Sequence, residues 1–251
     1  MSDPVEIDLR AVRFDPQPVT LLRAADMEVR AFRYSTGIEA VTIATPTGAV
    51  TILPFKGQQV WRAAFHGRPL TMRSMFEEPQ PTTDYLSTYG AFLIHCGISA
   101  MGGPGPGDSH PLHGEMPNAR FQSARLIAGS DADGAYLTLS GDCVQARAFS
   151  FHYRFHSEVT LRPGVSHLNV QVAVENLRPV PLQLMYLAHV NFRPVDDGRL
   201  LETVPDDASG LAVRQDDPSG LDISPDHRRL IDTWMADPAS HRHMVPGRRI
   251  D

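Results

Sequence analysis

Histidine side chains in this sequence concentrate around one segment rich in glycine and proline. His95 precedes the segment 102–108, His110 and His113 follow it, and Glu115 lies two residues further on. Histidine gains or loses a proton near neutral pH, and a group of histidines beside a loop is typical of general acid–base sites. The group therefore indicates proton-transfer chemistry, although any one histidine is more often a side chain that bonds only to backbone.

A second group of polar side chains alternates with apolar ones along residues 182–192. Gln183, His189 and Asn191 fall on one face of the predicted strand, together with two apolar side chains. Imidazole and amide groups on one face of a strand suit contact with a sugar, and a strand holds a histidine more rigidly than a loop does. A solvated outer face is the alternative, and the two apolar side chains argue against it.

Alternation of apolar and polar residues recurs along the whole chain and predicts β-strands. The alternating runs cover residues 37–45, 49–55, 135–140, 149–155 and 168–174. A continuously apolar run at 91–94 predicts a strand that is covered on both faces. Gly, Pro and Asp residues separate the runs, so we expect an all-β antiparallel sandwich or barrel and no alternation of strands with helices.

A single helix is expected, near residues 225–236. Ser224 offers an N-cap and Pro225 the first helical position. Apolar side chains then follow at helical spacing at Leu230, Ile231, Trp234 and Met235. No change of composition marks a boundary, so residues 1–251 are expected to form one domain.

Composition argues against several classes of partner. The net charge is −6, and no basic stripe with interleaved aromatic residues occurs, so nucleic acid is not expected to bind. The first 16 residues lack the apolar stretch of a secretory signal, and no run approaches 18 apolar residues, so no membrane association is expected. Cys96 and Cys143 lack CxxC spacing, which favours reduced thiols and a cytoplasmic location.

Three short motifs occur in a suggestive order: YGAFLIHCG at residues 89–97, PLHGE at 111–115 and HVNF at 189–192. Together they resemble the uncharacterised aldose-1-epimerase-like family of the galactose mutarotase-like superfamily, and residues 53–62 look like the early strand pair of that family. The resemblance is clearest between about residues 32 and 194. It implies an antiparallel β-supersandwich that binds a small-molecule carbohydrate and uses no cofactor.

The resemblance also implies roles for individual side chains. His189 would be the acid that protonates the sugar ring oxygen, and His113 would hold that oxygen or a neighbouring hydroxyl, in a cleft on the concave side of the larger sheet. A carboxylate must then act as the base. The residues expected to contact the sugar are His95, Arg120, Asn191, Trp61 and Glu115, with Trp61 or Phe92 stacking on the ring.

The expected base has no match in this sequence. Members of the family carry the catalytic Glu near the C-terminus, in strands that would follow the last residues of this chain. Glu115, Glu202, Asp196 and Asp197 are substitutes by proximity alone. We therefore expect the last strands of the family domain to be missing from the 251 residues, and this chain to have little or no epimerase activity.

Two other functions stay open at this point. His110, His113, Glu115 and His189 could form the metal site of a metal-dependent sugar isomerase, although their spacing is unusual for such a site and we expect no bound metal. A carbohydrate-binding protein without catalysis is the second alternative. The sequence identifies neither the sugar nor the oligomeric state, and a homo-oligomer is compatible with it.

Overall fold

A computed structural model describes residues 3–201, 203, 205 and 224–242. Contacts within the chain divide it into one unit of Met1–Arg193 and a second of Pro194–Asp251, and each unit is considered by itself. The first unit carries the strands and the second carries the helix. The expectation of one domain over residues 1–251 stays a prediction.

Two antiparallel sheets make up the first unit. Its strands are β1 (Val5–Asp8), β2 (Val19–Ala24), β3 (Met27–Arg33), β4 (Glu39–Thr45), β5 (Gly48–Ile52), β6 (Val60–Phe65), β7 (Arg68–Pro69), β8 (Leu93–Ile98), β9 (Ser123–Asp131), β10 (Gly134–Arg147), β11 (Phe151–Leu161), β12 (Asn169–Asn176) and β13 (Met185–Val190). Short 3-10 helices lie at Leu9–Ala11 and Leu86–Thr88.

The strand order places β8 and β13 side by side. The five-stranded sheet runs β1-β9-β10-β11-β12, and the eight-stranded sheet runs β13-β8-β6-β5-β4-β3-β2, with β7 paired to β6. Tight turns, such as the one at residues 131–134 between β9 and β10, join most sequence neighbours. The predicted fold class, a mostly antiparallel β-sandwich with little helix, is confirmed.

Alternation along the strands builds the core between the two sheets. Leu126 of β9, Leu139 of β10 and Val159 of β11 are fully buried and pack in one cluster with Val41 and Ile52 of the larger sheet. Each such side chain stabilises the fold by about 1.5–3 kcal/mol when it leaves water. Burial of these apolar side chains fixes the register of the strands, because a shift of the pairing by one residue would turn them away from the core.

The larger sheet is also covered on its other face. Trp61 of β6 and Ile94 and Cys96 of β8 form a separate buried cluster there, to which Tyr85 from the irregular segment 70–92 contributes. As a result all six residues of β8 are buried. The prediction that the run at 91–94 belongs to a strand covered on both faces is confirmed for Leu93 and Ile94.

One predicted strand begins later than expected. Phe149 belongs to the alternating run 149–155, but it lies in the turn between β10 and β11, has a φ of 63° and is fully exposed. The backbone N–H of Ser150 donates to the carbonyl of Arg147 to close this turn. The strand therefore starts at Phe151, because turn formation overrides the aromatic alternation.

The second unit contains the predicted helix. Helix α1 (Pro225–Ala236) begins where expected, since the Ser224 side chain accepts a hydrogen bond from the backbone N–H of His227 and Pro225 occupies the first helical position. A 3-10 helix follows at Pro238–Arg242. In the part of the chain that the structure describes, no helix has both the length and the apolar character needed to cross a bilayer.

His95 of β8 bridges the two sheets from inside the core. Its Nδ1 lies 2.8 Å from the Tyr186 hydroxyl of β13, and its Nε2 lies 3.1 Å from the Ser157 hydroxyl of β11. The side chain is fully buried, and burial lowers the pKa of the imidazole from 6.5 to about 4. His95 is therefore a neutral core residue at neutral pH.

Acidification should destabilise the protein through His95. The unfolded chain takes up this proton near pH 6.5 and the folded chain only near pH 4, so stability is lost as the pH falls through that window, by about 3 kcal/mol at its lower end. The free energy of unfolding in urea, measured between pH 7 and pH 4, should fall less in His95→Gln than in the wild type. Equal losses in the two proteins would show that His95 is not the group responsible.

Candidate functional site

The structure brings His113 and His189 together. Their ring centroids are 5.6 Å apart, with the ring planes inclined at 72°. Two tyrosines complete the group: the Tyr85 ring lies 5.0 Å from His113 and 6.3 Å from His189, and the Tyr89 ring lies 5.7 Å from His189. We call His113 and His189 the imidazole pair. His113 and His189, which are more than 70 residues apart in sequence, thus belong to one contact group.

His189 reaches the pair because of strand alternation. In the register of β13 with β8 it is paired with Ile94, so the two side chains project to the same face of the larger sheet. Ile94 belongs to the cluster on the face turned away from the five-stranded sheet. Tyr186 and Ala188 project to the opposite face, and Tyr186 there meets His95. The predicted division of this strand into two faces agrees with the structure.

His113 reaches the pair through a tight turn. It has a φ of 59°, and its backbone N–H donates to the Gly102 carbonyl while its carbonyl accepts from the Gly97 N–H, at 2.9 and 2.8 Å. Gly114 follows at a φ of 78°, where an added Cβ would lie 2.5 Å from the Gly97 carbonyl oxygen and 2.6 Å from that of Ala100. A non-glycine residue in the left-handed region costs about 1 kcal/mol or more, so the surrounding contacts must hold His113 there.

The rings of this group contain buried polar atoms without partners. Four such side-chain atoms occur in the described residues, and three of them are His113 Nδ1, His189 Nδ1 and the Tyr85 hydroxyl. The Tyr85 hydroxyl lies beside the Cys96 thiol, which is a weak partner that does not satisfy it. Buried polar atoms in native proteins are nearly always hydrogen-bonded, so each exception calls for an explanation, such as a functional role or a partner outside the protein.

Three titratable members of the group have shifted pKa values that favour the uncharged form. Burial lowers the pKa of His113, and the neighbouring His189 lowers it further. Burial raises the pKa of both Tyr85 and Tyr89, so both hydroxyls keep their protons. His113, Tyr85 and Tyr89 are therefore expected to be uncharged near neutral pH.

Asn191 supports the group through a hydrogen bond to Tyr89. Its amide oxygen accepts a hydrogen bond of 2.8 Å from the Tyr89 hydroxyl, and its amide nitrogen donates to the Ala91 carbonyl at 2.9 Å. The side chain is buried, with 7% of its surface exposed. Asn191 thus positions Tyr89, and its contact with a sugar stays a prediction.

Trp61 is fully buried, and its position corrects the prediction that it stacks on a sugar. Its indole N–H donates to the Glu77 carbonyl at 3.3 Å, and the Arg62 guanidinium lies 4.5 Å from the centre of its ring. Phe92, the other predicted stacking residue, packs in the core between the sheets. The rings that do meet the imidazole pair, Tyr85 and Tyr89, were missed because they lie in an irregular segment without periodicity.

His95 and Arg120 do not join the imidazole pair. Successive side chains of β8 point to opposite faces, so His95 projects into the core while Ile94 and Cys96 project toward the pair. Arg120 is exposed and forms an isolated backbone bridge with Lys56. The expectation that His95 lines the same cleft is corrected, because alternation places it on the opposite face. The predicted contact of Arg120 with a sugar stays a prediction.

Glu115 lies close to His113 in sequence but is bonded elsewhere. Its Oε1 accepts from the Tyr153 hydroxyl at 2.6 Å and from the backbone N–H groups of Ser99 and Ile98 at 3.1 and 3.4 Å, and its Oε2 accepts from the Ser99 hydroxyl at 2.7 Å. The predicted contact of Glu115 with a sugar has no support in these bonds. Asp196 and Asp197 are exposed in the second unit, and Glu202 lies outside the described residues.

The four residues of the alternative metal site are not assembled. His110 Nδ1 donates to the Pro111 carbonyl at 2.9 Å, and its Nε2 lies 3.9 Å from the Asp108 carboxylate. Glu115 is engaged as described above. Within residues 3–201 and the other described positions, no three His, Cys, Asp or Glu side chains come together as metal ligands.

A cavity of about 590 Å³ lies elsewhere, on the outer face of the five-stranded sheet. Two of its charged side chains have partners: Arg162 binds Asp131 at 2.6 Å, and a carboxylate oxygen of Glu158 lies 3.2 Å from His156 Nε2. Thr138 and Thr160 on its floor bond to each other. We place the candidate site at the imidazole pair, because that is where buried polar atoms lack partners.

The contact between the two imidazoles can be measured by titration. We expect His113 to titrate below the ordinary 6.5, and His189→Asn to raise the His113 pKa by removing a neighbour that disfavours its protonation. The measurement is the pH dependence of the imidazole carbon-bound proton signals by NMR. An unchanged His113 pKa in the variant would mean that the two rings do not interact.

Comparison with known proteins agrees with this fold. A search of solved structures finds a "putative aldose 1-epimerase" from Klebsiella pneumoniae, with a TM-score of 0.68 and 16% sequence identity. The match covers 80% of this chain and 59% of that chain, and at this identity it shows the fold alone. No curated protein sequence matches. Residues 35–199, more than half of the chain, match the family described as "Domain of unknown function (DUF4432)", and the chain belongs to that family.

Proposed function

We propose that the imidazole pair, Tyr85 and Tyr89 form a binding site for the ring of an aldose, and that the pair transfers protons in an anomer exchange of the aldose 1-epimerase type. The observation that carries the proposal is the convergence of three buried polar atoms without partners on rings 5.0–6.3 Å apart. The likeness of the fold to the Klebsiella structure supports it.

Anomer exchange needs two coordinated proton transfers. The ring oxygen gains a proton while the anomeric hydroxyl loses one, the bond between the anomeric carbon and the ring oxygen breaks, and an open-chain aldehyde forms. Rotation about the next carbon–carbon bond and reversal of the transfers close the ring with the other configuration. A protonated imidazole is a suitable acid for this chemistry near neutral pH.

The two imidazoles suit different parts of this reaction. His189 stands on a strand and is assigned as the acid that protonates the ring oxygen. His113 has a lowered pKa, so it is suited to hold a hydroxyl or the ring oxygen as an uncharged hydrogen-bonding group. The Tyr85 and Tyr89 hydroxyls stay protonated and offer further donors, while their rings offer apolar surface to the sugar.

We assign the uncharged imidazole of His113 as the group that takes the proton of the anomeric hydroxyl, since a neutral imidazole has one acceptor nitrogen. No carboxylate in the described residues forms a hydrogen bond or ion pair with either imidazole. Glu115, the carboxylate closest to His113 in sequence, has both of its oxygens engaged.

Exchange between the α and β anomers of galactose and glucose, followed by NMR exchange spectroscopy, tests the proposal. Any acceleration that this chain provides should fall in His189→Asn by about 10² to 10⁴, the usual contribution of a general acid. His152→Asn is the matched control, because His152 is exposed on β11 and should leave the rate unchanged.

Binding measured in parallel separates the alternatives. Sugar binding by calorimetry without any exchange would support a carbohydrate-binding protein that lacks catalysis. An exchange rate that depends on added divalent metal would support the metal-dependent isomerase. Neither binding nor exchange with any simple aldose would overturn the assignment of this site.

A further inference from the structure

Four hydrogen-bond donors converge on the Glu115 carboxylate. The Tyr153 hydroxyl and the N–H groups of Ser99 and Ile98 share Oε1, and the Ser99 hydroxyl binds Oε2. Burial raises the pKa of Tyr153, and its bond to Glu115 raises it further, so this donor is protonated near neutral pH. Such a carboxylate is a fixed acceptor in the structure.

These bonds join three separate parts of the first unit. Tyr153 belongs to β11 of the five-stranded sheet, Ile98 ends β8 of the larger sheet, and Ser99 begins the loop that leads toward His113. Glu115 itself follows the strained turn of His113 and Gly114. Next to it, the Met116 N–H donates to the Gly97 carbonyl at 2.9 Å, which continues the attachment of this turn to β8.

We propose that Glu115 is the positioning residue of His113: its carboxylate fastens the left-handed turn at residues 113–114 to Ile98, Ser99 and Tyr153, and it does not exchange protons with the sugar. The positioning of His113 toward a sugar rests on the proposed function, whereas the attachment of the turn by Glu115 is a property of the protein without ligand. A positioning role for Glu115 differs from the role of general base, which its closeness to His113 in the sequence would suggest.

Two substitutions at position 115 distinguish the two roles. Glu115→Gln keeps the shape and the hydrogen bonds, because the amide oxygen can accept from Tyr153 and from the backbone, while the amide N–H₂ can donate to the Ser99 hydroxyl with the direction of that bond reversed. It removes only the charge and the basicity. Glu115→Ala removes all four bonds and leaves the donors unpaired.

The first measurement needs no sugar. The NMR signals and the pKa of the His113 imidazole should stay as in the wild type in Glu115→Gln and shift toward those of an exposed histidine in Glu115→Ala. Glu175→Gln is the matched control: Glu175 lies exposed on β12 in an ion pair with Arg154, and its substitution should leave His113 unchanged.

The second measurement is anomer exchange by the same variants. We expect Glu115→Gln to retain the rate within about threefold and Glu115→Ala to lose about 10- to 100-fold, since small displacements of a catalytic group have effects of this size. Loss of exchange in Glu115→Gln with unchanged His113 signals would make Glu115 the base and overturn the proposal. Unchanged His113 signals in Glu115→Ala would overturn it as well.

Milder variants keep the test valid if Glu115→Ala does not fold. Ser99→Ala removes the single donor to Oε2, and Tyr153→Phe removes one of the three donors to Oε1. Each should shift the His113 signals in the same direction as Glu115→Ala but by less. His113 signals identical to the wild type in both folded variants would contradict the positioning role, whether or not the protein proves to act on a sugar.

Discussion

The pairing of β13 with β8 is the constraint on which the site and the centre of the core both depend. Successive side chains along β8 point to opposite faces, and both faces are covered, so no residue of this strand is exposed. One face carries His95, which is bonded to both sheets. The other face carries Ile94, which is paired across the two strands with His189 of β13. A shift of register by one residue would exchange these two environments, placing a polar imidazole against Trp61 and withdrawing His189 from its partner.

The two members of the imidazole pair are held by different physical means. His189 gains its direction from a regular strand, in which backbone pairing fixes the side chain within narrow limits. His113 gains its direction from a turn of unfavourable backbone conformation that hydrogen bonds to Gly97 and Gly102 maintain. The strand fixes the direction of the His189 side chain through regular backbone pairing, whereas the turn holds His113 only through the individual hydrogen bonds around it. That difference explains why so many polar contacts gather at residues 97–116 and so few around β13.

Much of the fold follows from patterns that a single sequence displays. Alternation of apolar residues predicts the strands and the two faces of β13, and Ser224 with Pro225 predicts the start of helix α1. The two histidine motifs point to His113 and His189, whose roles toward a sugar remain predictions. Burial of Trp61 was not predictable in this way, because it requires the irregular segment 70–92 to fold over the outer face of the sheet. Tyr85 and Tyr89 lie in that same segment, where neither hydrophobic periodicity nor a capping residue indicates a contact with a histidine.

Among the described strands, β13 pairs only with β8, so one edge of it has no strand beside it. Residues held from one side open more readily than the interior of a sheet, and the free energy of such local opening is well below that of global unfolding. The separation of the two imidazoles therefore depends on an edge strand of the larger sheet. Substitutions that weaken the pairing of β13 with β8 would therefore alter the spacing of the imidazole pair and loosen the bond between Tyr186 and His95, so the site and the core would be weakened together.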